Sequence, residues 1–262
     1  MKNRYSGAFW AMVQRDLLAQ WRDKGEFIFR VVMLPLILII TYGYVLPEIG
    51  FVPKTFPTHM FAGMIGMSIL ITGIHGTAIP FTMDFNNMHE IEDRLQAPVP
   101  ANLVAYAKML VGIIEAFIGG LLVLPFSAFF MGSRVELLIQ PDRIVWLIPV
   151  LLLIAVASAT LGLLVGTIVK PMQIAAMFPG FLMPMVFSGA IFFTWNSLDA
   201  VPFFQKIILI NPLVYANEAL RYALTPQIDS MPVALSLTGL VVSSLIMGYF
   251  GFRRFHHMCV NR

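Results

Sequence analysis

Charged residues make up only 12% of this 262-residue chain, so each one set inside an apolar stretch needs a physical reason. Glu115 stands within the apolar run from Leu103 to Met131, and His75 within the run from His59 to Phe81. A carboxylate at such depth costs about 2.5–3.5 kcal/mol on insertion scales and therefore faces protein or water. Two readings of Glu115 stay open: an ion pair with Lys108 two turns earlier, or contact with a transported solute. His75 is either a proton relay or a packed, hydrogen-bonded side chain. The third polar locus is "ILINPLVYANEALRYAL", residues 207 to 223, where Asn211, Tyr215, Glu218 and Arg221 interrupt apolar sequence.

Enzymatic constellations are missing from the sequence. The five histidines share no ligand spacing with carboxylates or with Cys259, so no metal site and no catalytic residue is expected. No Gly-Lys dipeptide occurs, which excludes a G-x-x-x-x-G-K-[ST] phosphate loop and hence ATP hydrolysis of that kind by this chain. The lone cysteine has no partner for an internal disulfide.

The elements that must position these side chains are membrane helices. A chain with 58% hydrophobic residues and mean hydropathy +0.81 departs from the roughly 45–50% apolar composition of soluble domains. A spanning helix needs about 20 mostly apolar residues. Six stretches qualify: 27–46, 59–81, 103–131, 144–169, 174–193 and 233–252. The expected fold class is therefore an all-α integral membrane protein with six transmembrane helices in one domain, and no cleaved signal peptide is expected. With the N-terminus inside, Lys54, Arg134, Arg143, Lys206 and Arg221 fall on the outer side, and the remaining twelve of the 17 Lys and Arg on the inner side. That asymmetry puts both termini in the cytoplasm.

Residues 1–26 place Trp10, Val13, Leu17 and Trp21 at helical spacing, which suits an amphipathic interface helix or a basic, orienting flank. The longest cytoplasmic connection, 82–102, is acidic through Asp84, Glu90, Glu92 and Asp93. Its Met88, Ile91 and Leu95 form a narrow apolar stripe ended by Pro98 and Pro100, either a surface helix on the bilayer edge or a docking element. The fifth stretch carries Pro179 and Pro184 and is expected to bend, as an ordinary kink or as a pathway-lining helix. Ser158, Gly162 and Gly166 form a small-residue ridge for close packing within the bundle. Residues 195–231 read as two half-length helices, the second starting at Asn211 as N-cap and Pro212 at the first position.

Three motifs in this order resemble the permease subunits of ABC-2 type exporters: "EIEDRLQAPVP", "LMPMVFSGAIF" and "INPLVYANEALRYAL". Leu95, Ala97, Pro98 and Val99 match the family's usual loop, whereas Arg94 stands where a Leu is usual. The resemblance covers essentially the whole chain. It implies a membrane subunit that exports an amphipathic or lipid-linked compound across a bacterial-type inner membrane. It further implies a coupling helix over 86–98 seated on a separate ATPase, and a re-entrant pair at 195–231. The coupling residues would be Glu90, Ile91, Glu92, Asp93, Arg94, Leu95 and Pro98; the pathway or re-entrant residues would be Pro179, Pro184, Asn211, Pro212, Tyr215, Glu218 and Arg221. On the same grounds no cofactor belongs to this chain: ATP and Mg would be held by two copies of the partner ATPase, around a homodimer in the lipid. The alternative is an ion- or proton-coupled secondary transporter using Glu115 and His75, against which the lack of internal repeats speaks.

Overall fold

The computed structural model of the chain describes residues 2–86, 100–137 and 140–260, and among these every regular element is helical. Helix α1 is Lys2–Arg22 and α2 is Lys24–Leu38, continued by a π-helical stretch Ile39–Val45 and a last turn Leu46–Glu48. Pro47 has no N–H to offer the carbonyl one turn back, which accounts for the wider π turn before it. Helices α3 (Phe56–Asn86), α4 (Ala101–Met131) and α5 (Leu147–Ile168) follow. Three short helices come next, α6 (Met183–Ser188), α7 (Pro202–Ile207) and α8 (Pro212–Leu224), and α9 (Val233–Val260) ends the fold.

Among the described residues, five helices are long and apolar enough to cross a membrane: Lys24–Glu48, Phe56–Met83, Asn102–Met131, Pro141–Ile168 and Val233–Cys259. They match five of the six expected stretches. The remaining one, over 174–193, is shorter than a span: its helical turns run without a gap only to Ser188 and then give way to bends. It runs as a 3-10 turn Pro171–Gln173, one α turn Ile174–Met177, a π segment Phe178–Leu182 and then α6. Pro179 and Pro184 each delete a backbone donor, and the helix widens into its π segment where those donors are missing.

Helix α3 is the axis of the bundle. Its most apolar window is 94% buried within the protein, against 28% for the α2 span and 22% for the α9 span. Small residues make this possible: a methyl added at Gly73 would sit 1.9 Å from Ser158 Oγ, and one at Gly76 would sit 2.5 Å from Glu115 Oε2. The ridge on α5 faces the same helix, with a Cβ at Gly162 only 3.1 Å from the Gly73 carbonyl and one at Gly166 only 3.2 Å from Ala78 Cα. The ridge therefore packs within the chain, as its sequence suggests.

The bundle has two faces. At the terminal face α1 lies against the start of α4, Phe81 meets Phe255 at 5.4 Å, and Arg254 Nε donates to the Thr167 carbonyl at 3.2 Å. At the opposite, hairpin face gather α7, α8 and the starts of α3 and α9. Between residues 170 and 189 the chain travels from one face to the other: Lys170 shares a pocket with Arg254, while the Gly189 carbonyl accepts from Asn217 Nδ2 at 2.6 Å. Helix α1 differs from a purely lipid-facing helix. Val13, with Phe9, Met12 and Leu17, packs on Ala107 and Val111, while Trp10 and Trp21 turn outward.

Candidate functional site

The hairpin face is organised by α8. Asn211 caps it: its side-chain oxygen accepts from Leu213 N at 3.0 Å, and Pro212 occupies the first turn. The Asn211 amide also donates to the Met185 carbonyl at 2.7 Å and to Ser188 Oγ at 3.1 Å, tying the cap to α6. One face of α8 then enters the protein completely, because Glu218 and Arg221 are both 0% exposed.

A guanidinium taken out of water must find an acceptor for nearly every N–H. Arg221 does so. Its Nη1 donates to Glu218 Oε1 at 2.6 Å, its Nη2 to the Ile191 carbonyl at 3.0 Å and to the Ala190 carbonyl, and its Nε to the His59 carbonyl at 3.3 Å. Glu218 in turn accepts from the backbone N–H of Trp195 at 2.9 Å and of Met231 at 2.7 Å. One ion pair thus fastens the head of α3, the bend that follows α6 and the chain before α9. Ala190 is held with φ 53°, in the left-handed region, at the point where its carbonyl meets Arg221. Tyr215 adds a hydrogen bond to the Leu209 carbonyl at 2.8 Å, and burial raises its hydroxyl pKa. Its ring lies where a methyl on Gly239 would be 2.4 Å away.

The terminal face holds a second charged cluster at the junction of α1, α2 and α4. Arg30 Nη2 lies 3.5 Å from Glu115 Oε2, and Lys108 Nζ lies 2.8 Å from Asp16 Oδ2. The expected ion pair of Glu115 is therefore present in kind but assigned differently, with Arg30 of α2 as its salt-bridge partner. Lys108 bonds α1 instead. Among the described residues neither Glu115 oxygen receives a hydrogen bond, although the residue is 3% exposed. Beside this cluster opens a cleft of about 260 Å³, lined among others by Arg15, Asp16, Gln20, Glu26, Arg30 and Lys108.

A second polar cleft, about 390 Å³, opens at the hairpin face between Pro47, Glu48, Lys54, Thr55, Thr58, Arg134 and Glu136. Arg134 Nη2 donates to Glu48 Oε1 at 2.6 Å, which holds the guanidinium pKa above its ordinary value, and its charged carbon sits 4.3 Å from the Tyr44 ring centroid. Gln227, in the turn after α8, reaches the Glu136 carbonyl and joins this cleft to the hairpin.

The structure brings Asn211, Pro212, Tyr215, Glu218 and Arg221 together on one short helix. Pro179 and Pro184 are exposed on the π segment and α6, and Glu115 is buried at the opposite face. Glu90, Ile91, Glu92, Asp93, Arg94, Leu95 and Pro98 lie outside the described residues. No group of three or more potential metal ligands occurs among the described residues. Sequence reasoning missed Asn217, which donates to Gly189, and Gly66, where a methyl would sit 2.0 Å from Asn217 Oδ1. It also missed Asp16 and the pairing role of Arg30, because contacts between distant segments leave no local period to read.

The relation to known proteins agrees with this architecture. Residues 7–225 match the model of a family described as ABC-2 type transporter. The chain is 28% identical over 181 residues to the inner membrane transport permease YadH of Escherichia coli K12, covering 69% of this chain and 67% of that protein. The YadH protein of Shigella flexneri matches to the same extent. With the matched region running from α1 to the end of α8, so that it contains both charged faces of the bundle, this chain belongs to the ABC-2 type transporter family.

Proposed function

We propose that this chain is the membrane subunit of an ATP-driven exporter that moves an amphipathic or lipid-linked compound outward with a separate ATPase subunit. The observation that carries the reading is the family match over residues 7–225 in a chain whose sequence offers no phosphate-binding loop. The helical passage between residues 170 and 189, with its π segment, is counted as a sixth crossing, which returns both termini to one side. The basic residues assign that side to the cytoplasm. On this reading α7 and α8 dip into the outer leaflet and return, with their polar groups turned onto protein as lipid requires.

Irregular backbone at membrane depth is tolerated only against protein or water. Pro179, Gly180 and Phe181 of the π segment are exposed on the single chain. A second copy covering this segment, with the pathway between the two, satisfies that requirement and supports a homodimer. Glu115 and His75 then hold the bundle together rather than couple an ion. Residues 86–98 dock on the ATPase, Ile91 and Leu95 as apolar anchors and Glu90, Glu92 and Asp93 as rim charges, an arrangement common to protein interfaces.

The test is co-expression with a candidate ABC ATPase from the same genome. The isolated chain should show no nucleotide hydrolysis, the copurified complex should, and Ile91→Asp combined with Leu95→Asp should abolish copurification while leaving the membrane bundle folded. Hydrolysis by the isolated chain, or undiminished copurification of the double variant, would overturn the respective part.

A further inference from the structure

The two polar clefts share α2. Glu26 and Arg30, from its first turns, line the cleft at the terminal face; Pro47 and Glu48, on its last turn, line the cleft at the hairpin face. From Arg30 to Glu48 the axis advances roughly 25 Å at ~1.5 Å per residue, slightly less through the π turn. That is close to the ~30 Å thickness of a bilayer's hydrocarbon core. The two clefts therefore stand at the head-group depths of the two leaflets.

Their linings are alike in chemistry. Each carries both signs of charge: Arg15, Arg30 and Lys108 with Asp16 and Glu26 in one, Lys54 and Arg134 with Glu48 and Glu136 in the other. No aromatic ring lines either cleft among the described residues, so neither offers the flat platform on which a sugar ring stacks. Glu26 in the terminal cleft, and Lys54 and Glu136 in the hairpin cleft, are exposed and form no ion pair among the described residues, so each cleft leaves a carboxylate open to a ligand, while the cations of the terminal cleft are already paired with Asp16 and Glu115. Between the clefts α2 presents a lipid-facing apolar stripe, with Ile37 52%, Ile40 42% and Tyr44 47% exposed.

We infer that the two clefts are paired subsites for the polar head of an amphiphile bearing both a phosphate and a primary amine. The head occupies one cleft at each leaflet while the chains stay in lipid along the exposed stripe of α2. In each cleft the cations meet the phosphate and the free carboxylate meets the ammonium. A ligand of zero net charge enters without unbalancing the pairs already present, which a purely anionic head would do. The direction of movement rests on the export function proposed above; occupancy of the clefts does not.

The experiment is lipid binding to the purified full-length chain in neutral detergent, read by native mass spectrometry. Dihexanoyl phosphatidylethanolamine should bind at two sites per chain, about threefold to fivefold tighter than dihexanoyl phosphatidylglycerol, the range expected for one partly exposed ion pair. N-acetylation of the ethanolamine should erase the preference. Glu26→Gln and Glu136→Gln should each weaken one site, and the double variant should bind the two lipids alike; both carboxylates are exposed, so neither change threatens folding. Equal affinity for the two lipids in the unaltered chain, or a preference that survives the double variant, would overturn the assignment. Equally tight binding of free phosphoethanolamine would point to a soluble ligand, and tighter binding of a glucosyl lipid with the same chains to a glycan head; either would overturn it too. No ATPase is present in this assay, so its failure leaves the exporter reading standing, and failure of copurification leaves this measurement unaffected.

Discussion

The two buried charge clusters solve the same problem in opposite ways. At the hairpin face Arg221 and Glu218 are fully enclosed and bonded to each other and to five backbone groups, from Trp195, Met231, His59, Ala190 and Ile191. At the terminal face Glu115 is as deeply buried, yet its contact to Arg30 is 3.5 Å and its oxygens accept no hydrogen bond. A satisfied network has one arrangement and acts as a rivet. The Glu115–Arg30 contact lacks the hydrogen-bond geometry that would fix one arrangement, so it ties α2 to α4 less firmly than the rivet ties the hairpin face.

The largest effect should come from removing the rivet. Arg221→Met leaves the Glu218 carboxylate buried without its cation, and the expected cost is about 3–5 kcal/mol. Thermal unfolding in detergent should show a drop of many degrees or a collapse in folded yield. Arg221→Lys should recover little, since one ammonium cannot reach acceptors that a planar fork spans. A near-normal midpoint for Arg221→Met would erase the distinction between the clusters.

Next comes the packing that brings α8 onto α3. Gly66→Ala puts a methyl 2.0 Å from Asn217 Oδ1 and should cost about 1–3 kcal/mol through overpacking. Gly180→Ala meets nothing within 4 Å and should leave the unfolding midpoint of the isolated chain unchanged. Equal responses at the two glycines would mean that the hairpin is not seated as described.

At the terminal face, replacing both partners should be far milder than replacing one. Arg30→Met with Glu115→Gln removes a loosely bonded pair together, and buried pairs replaced whole are often neutral, so the change should stay within about 1 kcal/mol. The matching double replacement of Glu218 and Arg221 should cost nearly as much as Arg221→Met alone, because Trp195 and Met231 lose their acceptor. Reversal of that order would contradict the contrast directly.

The smallest effect belongs to the exposed pair Arg134 and Glu48, whose side chains are 31% and 50% exposed. Glu48→Gln should leave the unfolding midpoint unchanged within error, and any residual difference should vanish as salt is raised.

Much of this was readable before any coordinates. Apolar run lengths placed four helices within about three residues of their span ends, and the start of the fifth, whose basic tail after Phe252 continues the helix to Cys259, since a span is defined by local composition alone. Asn211 and Pro212 announced the start of α8, because a cap and a first-turn proline act within a few residues of themselves. The Ser158, Gly162 and Gly166 ridge announced a close contact without naming what it touches.

Tertiary structure alone chose the partners. Glu115 stands two turns from Lys108 in sequence, yet its salt bridge is with Arg30, because α2 and not α4 itself presents a guanidinium at that depth. Arg221 is joined to a carbonyl at His59, 162 positions away, and no local period records such a distance. The proline-rich stretch near 179 reads as a bent span in sequence; its helix stays unbroken to Ser188 but includes a π segment and ends short of 193, which local composition does not record. Local composition and capping chemistry determine which elements form, whereas the pairing of distant charges depends on how α3, buried on all sides through its glycines, lets the other helices approach.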